Sequence, residues 1–171
     1  LCLGEHYLQT GEATSRTELS LPENQMELFR AVRAANPNVA VVLFNGRPLL
    51  LDELSRNAAA ILQAWLPGTE GGHAILDLLT GTKNPSGKLP MTFPRNMGQI
   101  PIYYNHFSTG RPLTGTDPQR FVSKYTDAPN TPLFPFGYGL SYAEFSYSDV
   151  SLSSDSLTSE ASITASVQLK N

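Results

Sequence analysis

The stretch VAVVLF, residues 39–44, decides the fold of this chain. All six residues are apolar and the three valines are β-branched, which is typical of a strand with both faces buried. Strands of this kind occur mainly in parallel sheets whose faces are covered by helices. Asn45-Gly46 ends the run with two residues that favour turns. We therefore predict a strand of a helix-covered parallel sheet, buried on both faces, at residues 39–44.

A strand and a helix are predicted before this segment. Leu1 to Leu3 has the apolar character of the end of a strand. Pro22 and Glu23 suit the first turn of a helix, and Asn36-Pro37 stops it. Side chains at i, i+3, i+4 and i+7 between these limits form one helical face: Gln25, Leu28, Phe29 and Val32.

Another strand and further helical segments are predicted after it. A short, partly helical crossover from about Leu50 to Ala59 leads to a second apolar run, Ala60 to Leu66, which we interpret as a strand closed by Pro67-Gly68. Glu70 then lies in the first turn of a helix that Gly81 is placed to end. The apolar face of this helix consists of Ala74, Ile75, Leu78 and Leu79.

The order of these elements, strand, loop, helix, strand, helix, strand, helix, predicts the α/β class. Alternation of this kind implies right-handed βαβ units, and hence a mostly parallel sheet with helices on both faces. The chain has 171 residues, which suits one domain plus a part of another.

The pattern changes twice towards the C-terminus. From Thr82 to about Tyr138, prolines and glycines recur every few residues, which excludes long helices, and the aromatic residues indicate that the segment packs on something. From Ser141 to Asn171, apolar and polar residues alternate as in the first two strands of a β-sandwich, with one register slip. We therefore expect one domain over residues 1–140 and the start of a second over 141–171.

Composition limits the classes of partner. Twelve Lys and Arg against fifteen Asp and Glu give a net charge of −3, without the basic stripe that nucleic acid binding requires. No apolar run approaches the roughly 18 to 20 residues of a membrane span. One cysteine and three scattered histidines have no metal-ligand spacing, and no motif indicates a cofactor. We expect neither nucleic acid nor a membrane span nor a metal.

The loop from Gly4 to Ser20 is the leading candidate for a functional site. It leaves the carboxyl end of the first strand, where open parallel sheets bind ligands, and it carries Glu5, Glu12 and Glu18. A carboxyl group that acts as a general acid near neutral pH needs a raised pKa, and a close guanidinium has the opposite effect. Arg16 could pair with any of the three glutamates, and a solvated carboxylate without chemistry is the alternative for each of them.

Several segments, in order along nearly the whole chain, resemble the C-terminal half of glycoside hydrolase family 3 β-glucosidases, most closely the bacterial periplasmic type. The segments are NGRPLLL (45–51), AWLPGTEGGHAILDLLTGTKNPSGKLPMTFPR (64–95), GQIPIYYNH (98–106), TGRP (109–112) and LFPFGYGLSY (133–142). The resemblance implies a parent built from an N-terminal (β/α)8 barrel, an α/β sandwich and a fibronectin type III-like β-sandwich. Residues 1–140 would be most of the second module, truncated at its N-terminus, and residues 141–171 the start of the third.

The resemblance also implies an activity, that of a retaining, exo-acting β-glycosidase that hydrolyses terminal non-reducing β-D-glucosyl residues. The aspartate nucleophile of such enzymes lies in the barrel, which this chain lacks, so we expect the fragment alone to be inactive. The general acid/base would be Glu12, the glutamate before a small-x-Ser-Arg sequence, with Glu5 as the next candidate. Glu5 and Arg16 are otherwise expected to support the loop, and His106 and Arg111 are expected to contact substrate.

The expected partners are an oligosaccharide or β-glucoside substrate and the missing barrel of the same parent chain. No cofactor is implied, and the parent would be periplasmic or secreted. The alternative hypothesis is a non-catalytic α/β module that binds carbohydrate or holds a neighbouring domain. Burial of Glu12 in an ion pair with Arg16 would favour this alternative, whereas an open groove beside Glu12 would favour the enzyme.

Overall fold

The computed structural model describes residues 1–115 and 120–171, so positions 116–119 of the Pro- and Gly-rich segment lie outside the described residues. Three helices and three strands alternate in the first half of the chain, and four two-residue strands follow near its end. In chain order they are β1 (Cys2–Gly4), α1 (Glu23–Ala35), β2 (Ala40–Phe44), α2 (Asp52–Asn57), β3 (Ala60–Gln63), α3 (Gly71–Leu79), β4 (Ser146–Tyr147), β5 (Ser151–Leu152), β6 (Ala165–Ser166) and β7 (Leu169–Lys170).

The first three strands form one parallel sheet in the order β1-β2-β3, with Leu3 opposite Leu43 and Val42 opposite Leu62. This confirms the predicted α/β class, and the order places the VAVVLF strand in the centre of the sheet. Val41 and Leu43 are completely buried, because β2 has a neighbouring strand on each side and apolar side chains on both faces.

One strand is shorter than the sequence indicated. The predicted strand Ala60 to Leu66 ends at Gln63, because Trp65 adopts a φ of +54°, which takes the chain out of the extended region. The Trp65 ring packs against the core instead, with its centroid 5.8 Å from that of Phe93. The last helix is also slightly shorter than predicted, since Glu70 precedes its first residue, Gly71.

The long helix α1 covers the sheet with an apolar face that includes the buried residues Met26 and Phe29. It starts directly after Pro22, whose fixed φ and missing N–H suit a helix start. It ends where the Asn36 N–H donates to the Val32 carbonyl at 2.9 Å, one residue before Pro37. The proline prevents continuation, so both limits follow from the sequence.

The Pro- and Gly-rich segment packs on the core in extended form. In its described part the only helical element is a single 3-10 turn, Met97–Gln99, as the proline content predicted. Phe93 is buried and exchanges backbone hydrogen bonds with Leu133 and Phe134, at 2.8 to 2.9 Å for the two shorter ones. The segment therefore wraps back on itself and holds an aromatic ring against the sheet.

The C-terminal residues form two short antiparallel pairs, β4 with β7 and β5 with β6, instead of two uninterrupted strands. Ser146 lies opposite Lys170, whereas Ser151 lies opposite Ser166, so the pairing shifts by one residue between the two pairs. This shift is the β-bulge that the register slip in the sequence indicated. All four strands are exposed, because no second sheet covers them among the described residues.

Core and surface phenylalanines give a first test of this architecture. We expect Phe29→Ala to lower the free energy of unfolding by about 3–5 kcal/mol, because the ring leaves a cavity between α1 and the sheet. Phe107→Ala is the matched control, since that side chain is 95 % exposed and its loss should change stability by less than about 0.5 kcal/mol. Urea unfolding of both variants measures the difference. Equal losses would contradict the packing described above.

Candidate functional site at the carboxyl edge of the sheet

The site is built on the loop that follows β1, residues 5–20, which we call the β1 loop. The loop begins in close contact with the end of β2, where the Glu5 N–H donates to the Phe44 carbonyl at 2.9 Å. Gly4 makes this approach possible, because a Cβ at that position would lie 1.9 Å from the Phe44 oxygen and its φ is +149°. The loop therefore leaves the sheet beside its central strand.

A side chain of α1 fixes the same point from the other side. The Gly4 N–H donates to Gln25 Oε1 at 2.8 Å, and Gln25 Nε2 donates to the Gly4 carbonyl at 2.9 Å. The glutamine amide thus satisfies both backbone groups of an edge strand in the way that another strand would. The sequence placed Gln25 on the helical face that includes Phe29, and this pair of hydrogen bonds explains why a polar residue lies there.

The Glu5 carboxylate is fully buried between two arginines. Arg16 Nη1 lies 2.8 Å and Arg47 Nε 3.0 Å from Glu5 Oε1, and the Gly46 N–H donates to Oε2 at 3.2 Å. A buried carboxylate is tolerated only when it is paired in this way. Glu5 therefore joins the β1 loop to the turn after β2, and we call Glu5, Arg16 and Arg47 the buried ion cluster.

Arg47 also closes the base of a tight turn in the β1 loop. Its Nη2 donates to the carbonyl of Gln9 at 2.6 Å and to that of Thr14 at 2.9 Å, one on each limb of the turn. Inside the turn the Thr14 hydroxyl donates to the Gly11 carbonyl at 2.6 Å. Residues 10–14 are thereby held as a compact projection, which we call the Glu12 turn.

Glu12 lies at the tip of this turn and is exposed. Its neighbours Gly11 and Ala13 have φ values of +110° and +58°, so the backbone bends sharply on both sides of it. Among residues 1–115 and 120–171, no hydrogen bond or ion pair engages its carboxylate. The arrangement presents one carboxyl group outward from a fixed backbone.

A shallow depression of about 430 Å³ opens beside the Glu12 turn. It is lined by both limbs of the turn and by the ends of the two neighbouring strand connections: Thr10, Gly11, Thr14, Ser15, Gly46, Arg47 and Leu66. It lies at the carboxyl edge of the sheet, which is where ligands bind in open α/β folds.

The structure decides among the partners that the sequence left open for Arg16. Arg16 binds Glu5 and, through Nη2, the Ser20 carbonyl at 3.2 Å, and it does not bind Glu12. Glu18 accepts hydrogen bonds from the hydroxyl and the N–H of Ser20 at 2.6 and 3.0 Å, and these bonds lower the pKa of Glu18. Glu18 is therefore unsuited to act as a general acid.

The two residues predicted to contact substrate lie elsewhere in the chain. His106 is exposed, with Nδ1 3.1 Å from the Phe107 carbonyl oxygen, and the backbone carbonyl of Arg111 accepts from Ser123 N–H at 2.8 Å. Neither lines the depression, and no hydrogen bond between described residues joins either of them to the β1 loop. Their role in substrate binding stays a prediction.

Sequence reasoning missed Arg47, although it lies in a segment that carried the family resemblance. The available signal was its position directly after the end of the central strand. Asn45 before it is completely buried, donates from Nδ2 to the Arg47 carbonyl at 2.6 Å and accepts from Gln63 Nε2 at 3.0 Å. Asn45 and Arg47, two polar residues after an apolar strand, thus indicated a candidate site, but not what Arg47 would bind.

Gly46 provides a test of how tightly the β1 loop packs on the turn after β2. A Cβ at Gly46 would lie 2.0 Å from Thr10 Oγ1, so we expect Gly46→Ala to displace the Glu12 turn and lower the stability by about 1–3 kcal/mol. Thr10→Ala removes the clashing oxygen, and the double variant should recover most of the loss. Urea unfolding of the full cycle measures the coupling. Additive effects would show that the two residues do not touch.

Two further features are absent from residues 1–115 and 120–171. No group of three or more His, Cys, Asp or Glu side chains in that part of the chain is arranged to hold a metal ion. No helix of the described residues combines the length and apolar character needed to cross a bilayer.

Comparisons with known proteins agree with this fold. A periplasmic beta-glucosidase of Salmonella typhimurium is 49 % identical over 169 residues, which cover 99 % of this chain and 22 % of that protein. A beta-xylosidase of Formosa agariphila is 38 % identical over 174 residues, covering 100 % of this chain and 23 % of that protein. The crystal structure of beta-glucosidase from Listeria innocua superimposes with a TM-score of 0.85 at 50 % identity, over 89 % of this chain and 21 % of that one.

The chain thus spans less than a quarter of the length of these relatives. The family model described as the glycosyl hydrolase family 3 C-terminal domain matches residues 1–142, which include the sheet, the β1 loop and the Pro- and Gly-rich segment. The chain belongs to this family and represents the C-terminal part of a glycosyl hydrolase family 3 protein.

Proposed function

We propose that the full-length protein is a retaining, exo-acting β-glycosidase and that Glu12 is its general acid/base. The observation that carries this proposal is the presentation of Glu12, exposed at the tip of a turn whose base is fixed to the end of the central strand by Arg47. A general acid must reach the oxygen of the departing group, and it must do so from a fixed position. The exposure of Glu12 and the hydrogen bonds at the base of its turn support this role.

The chemistry divides between two domains. Retaining hydrolysis uses two carboxyl groups about 5 Å apart on either side of the scissile bond. The aspartate nucleophile, on the (β/α)8 barrel outside this chain, would attack the anomeric carbon while Glu12 donates its proton to the leaving oxygen. Glu12, then a carboxylate, would take a proton from the water that releases the sugar. The sugar would lie between the barrel and the carboxyl edge of this sheet.

The substrate class rests on the relatives and not on this chain. Two of the three proteins compared above are β-glucosidases, and the Listeria innocua enzyme was also crystallised in complex with glucose. We therefore propose terminal non-reducing β-D-glucosyl residues as substrate, with β-xylosides as the alternative that the Formosa agariphila relative suggests. His106 and Arg111 stay candidates for substrate contacts that form in the complete cleft.

The remaining parts of the proposal concern the whole protein. Residues 1–140 would form the α/β sandwich domain, and residues 141–171 would begin a fibronectin type III-like domain, whose missing strands would cover the exposed pairs β4-β7 and β5-β6. The name of the Salmonella relative supports a periplasmic or secreted location. A non-catalytic module would be favoured by a Glu12–Arg16 ion pair, but Arg16 binds Glu5 instead.

Substitution of Glu12 in the full-length protein tests its role directly. We expect Glu12→Ala to lower kcat/KM by about 10²–10⁴-fold for phenyl β-glucoside, whose leaving group needs a proton. Attack on dinitrophenyl β-glucoside should be nearly unaffected, because that leaving group departs without protonation. With dinitrophenyl β-glucoside, the second step should become slow in this variant. Added azide should restore the turnover of that substrate and yield the β-glucosyl azide, detected by NMR.

The matched control is Glu18→Gln, which changes another carboxylate of the β1 loop that is bound to Ser20. It should retain kcat/KM within about threefold on both substrates, since it does not touch the reacting atoms.

Glu12→Gln should also remove the alkaline limb of the pH profile of kcat/KM, because that limb reports the loss of the acidic proton. Wild-type activity of Glu12→Ala on phenyl β-glucoside would refute the assignment.

A further inference from the structure

We propose that Arg47 is a positioning residue for the general acid/base, and that it sets the location of Glu12 by binding both limbs of the Glu12 turn. The inference rests on the proposed function of Glu12 and adds a residue that acts through it. Arg47 does not need to touch the substrate for this role. It lies after β2, in a different part of the chain from the β1 loop that it holds.

The Arg47 guanidinium spans the base of the Glu12 turn. Its Nη2 carries two hydrogens, and one is directed to the Gln9 carbonyl at 2.6 Å while the other is directed to the Thr14 carbonyl at 2.9 Å. These carbonyls enclose the four residues at the projecting end of the loop, so a single planar group fixes the width of the turn at its base. A lysine ammonium at this position is a point charge on a flexible stem and lacks this rigid fork.

Arg47 is itself held in place by neighbouring residues. Its Nε lies 3.0 Å from the buried Glu5 carboxylate, and its own carbonyl accepts from Asn45 Nδ2 at 2.6 Å. Asn45 in turn accepts from Gln63 at the end of β3. Arg47 is therefore connected to the carboxyl ends of two sheet strands, and its side chain is only 20 % exposed. The Arg47 side chain therefore fixes the Glu12 turn relative to the sheet.

The Glu12 turn contains a strained backbone conformation at Ala13. Ala13 has a φ of +58°, which a residue with a Cβ adopts only when surrounding contacts enforce it. Without the two hydrogen bonds from Arg47, the turn is free to relax and Glu12 would move relative to the barrel. A displacement of about 1 Å at a reacting group can reduce the rate by about 10²-fold.

The experiment compares leaving groups in the full-length protein. Arg47→Lys keeps the positive charge, and we expect it to lower kcat/KM for phenyl β-glucoside by about 10- to 100-fold, but that for dinitrophenyl β-glucoside by less than about threefold. A general loss of structure lowers both values together, so the ratio separates positioning from stability. Azide should partly rescue turnover, as for Glu12→Ala.

The matched control is Arg30→Lys, at an exposed arginine of α1 that binds Glu23 and Glu53 on the surface. It should leave both kcat/KM values within about twofold of wild type.

Backbone hydrogen exchange of peptides covering residues 8–16 gives a second measurement that needs no activity. Exchange there should accelerate in Arg47→Lys and not in Arg30→Lys.

The outcomes separate this inference from the proposed function. A strong dependence on the leaving group in Glu12→Ala, together with equal losses on both substrates or unchanged exchange in Arg47→Lys, would overturn the role of Arg47 alone. Wild-type behaviour of Glu12→Ala would overturn the proposed function itself. If Arg47→Lys fails to fold, the exchange of residues 8–16 in the wild-type protein decides, because a turn that Arg47 holds at its base should exchange more slowly than an unstructured chain. Exchange at the rate of an unstructured chain would then refute the inference.

Discussion

The ion cluster around the buried Glu5 carboxylate is the interaction on which the candidate site depends. The Glu5 carboxylate binds both Arg16 and Arg47. Arg16 also donates to the Ser20 carbonyl at the end of the β1 loop, and Arg47 follows the central strand. Removing one partner of such a group costs about 3–5 kcal/mol, because the remaining charge is left without compensation in a dry environment. The loop therefore cannot leave the sheet edge without exposing or orphaning a charge.

This constraint explains how a long loop could hold the proposed catalytic group, Glu12, in place. Loops are usually mobile, whereas a group that transfers a proton must be held in place. The Glu12 turn resolves the conflict by placing an exposed carboxylate at its tip and the two hydrogen bonds from Arg47 at its base. The polar atoms that fix the turn are largely removed from water, and the atoms proposed to react are exposed.

The shape of the carboxyl edge is consistent with the proposed division of the active site between two domains. The described surface at the carboxyl edge is a shallow depression and not an enclosed pocket, so a second surface would be needed to enclose the proposed sugar substrate. In the proposed function, the barrel supplies that surface together with the nucleophile. Water would leave the cleft when the domains enclose the substrate, and the environment of the acid/base would be set by both domains at once.

The sequence by itself determined the periodic parts of this protein. The apolar run of β2, the limits of α1 at Pro22 and Pro37, and the one-residue slip near the C-terminus all follow from local composition. The tertiary structure alone decided the partner of Arg16 and the contacts of Arg47. Both depend on contacts between residues 11 and 42 positions apart in the chain, from Arg16 and from Arg47 to Glu5, and local pattern carries no information about such pairings.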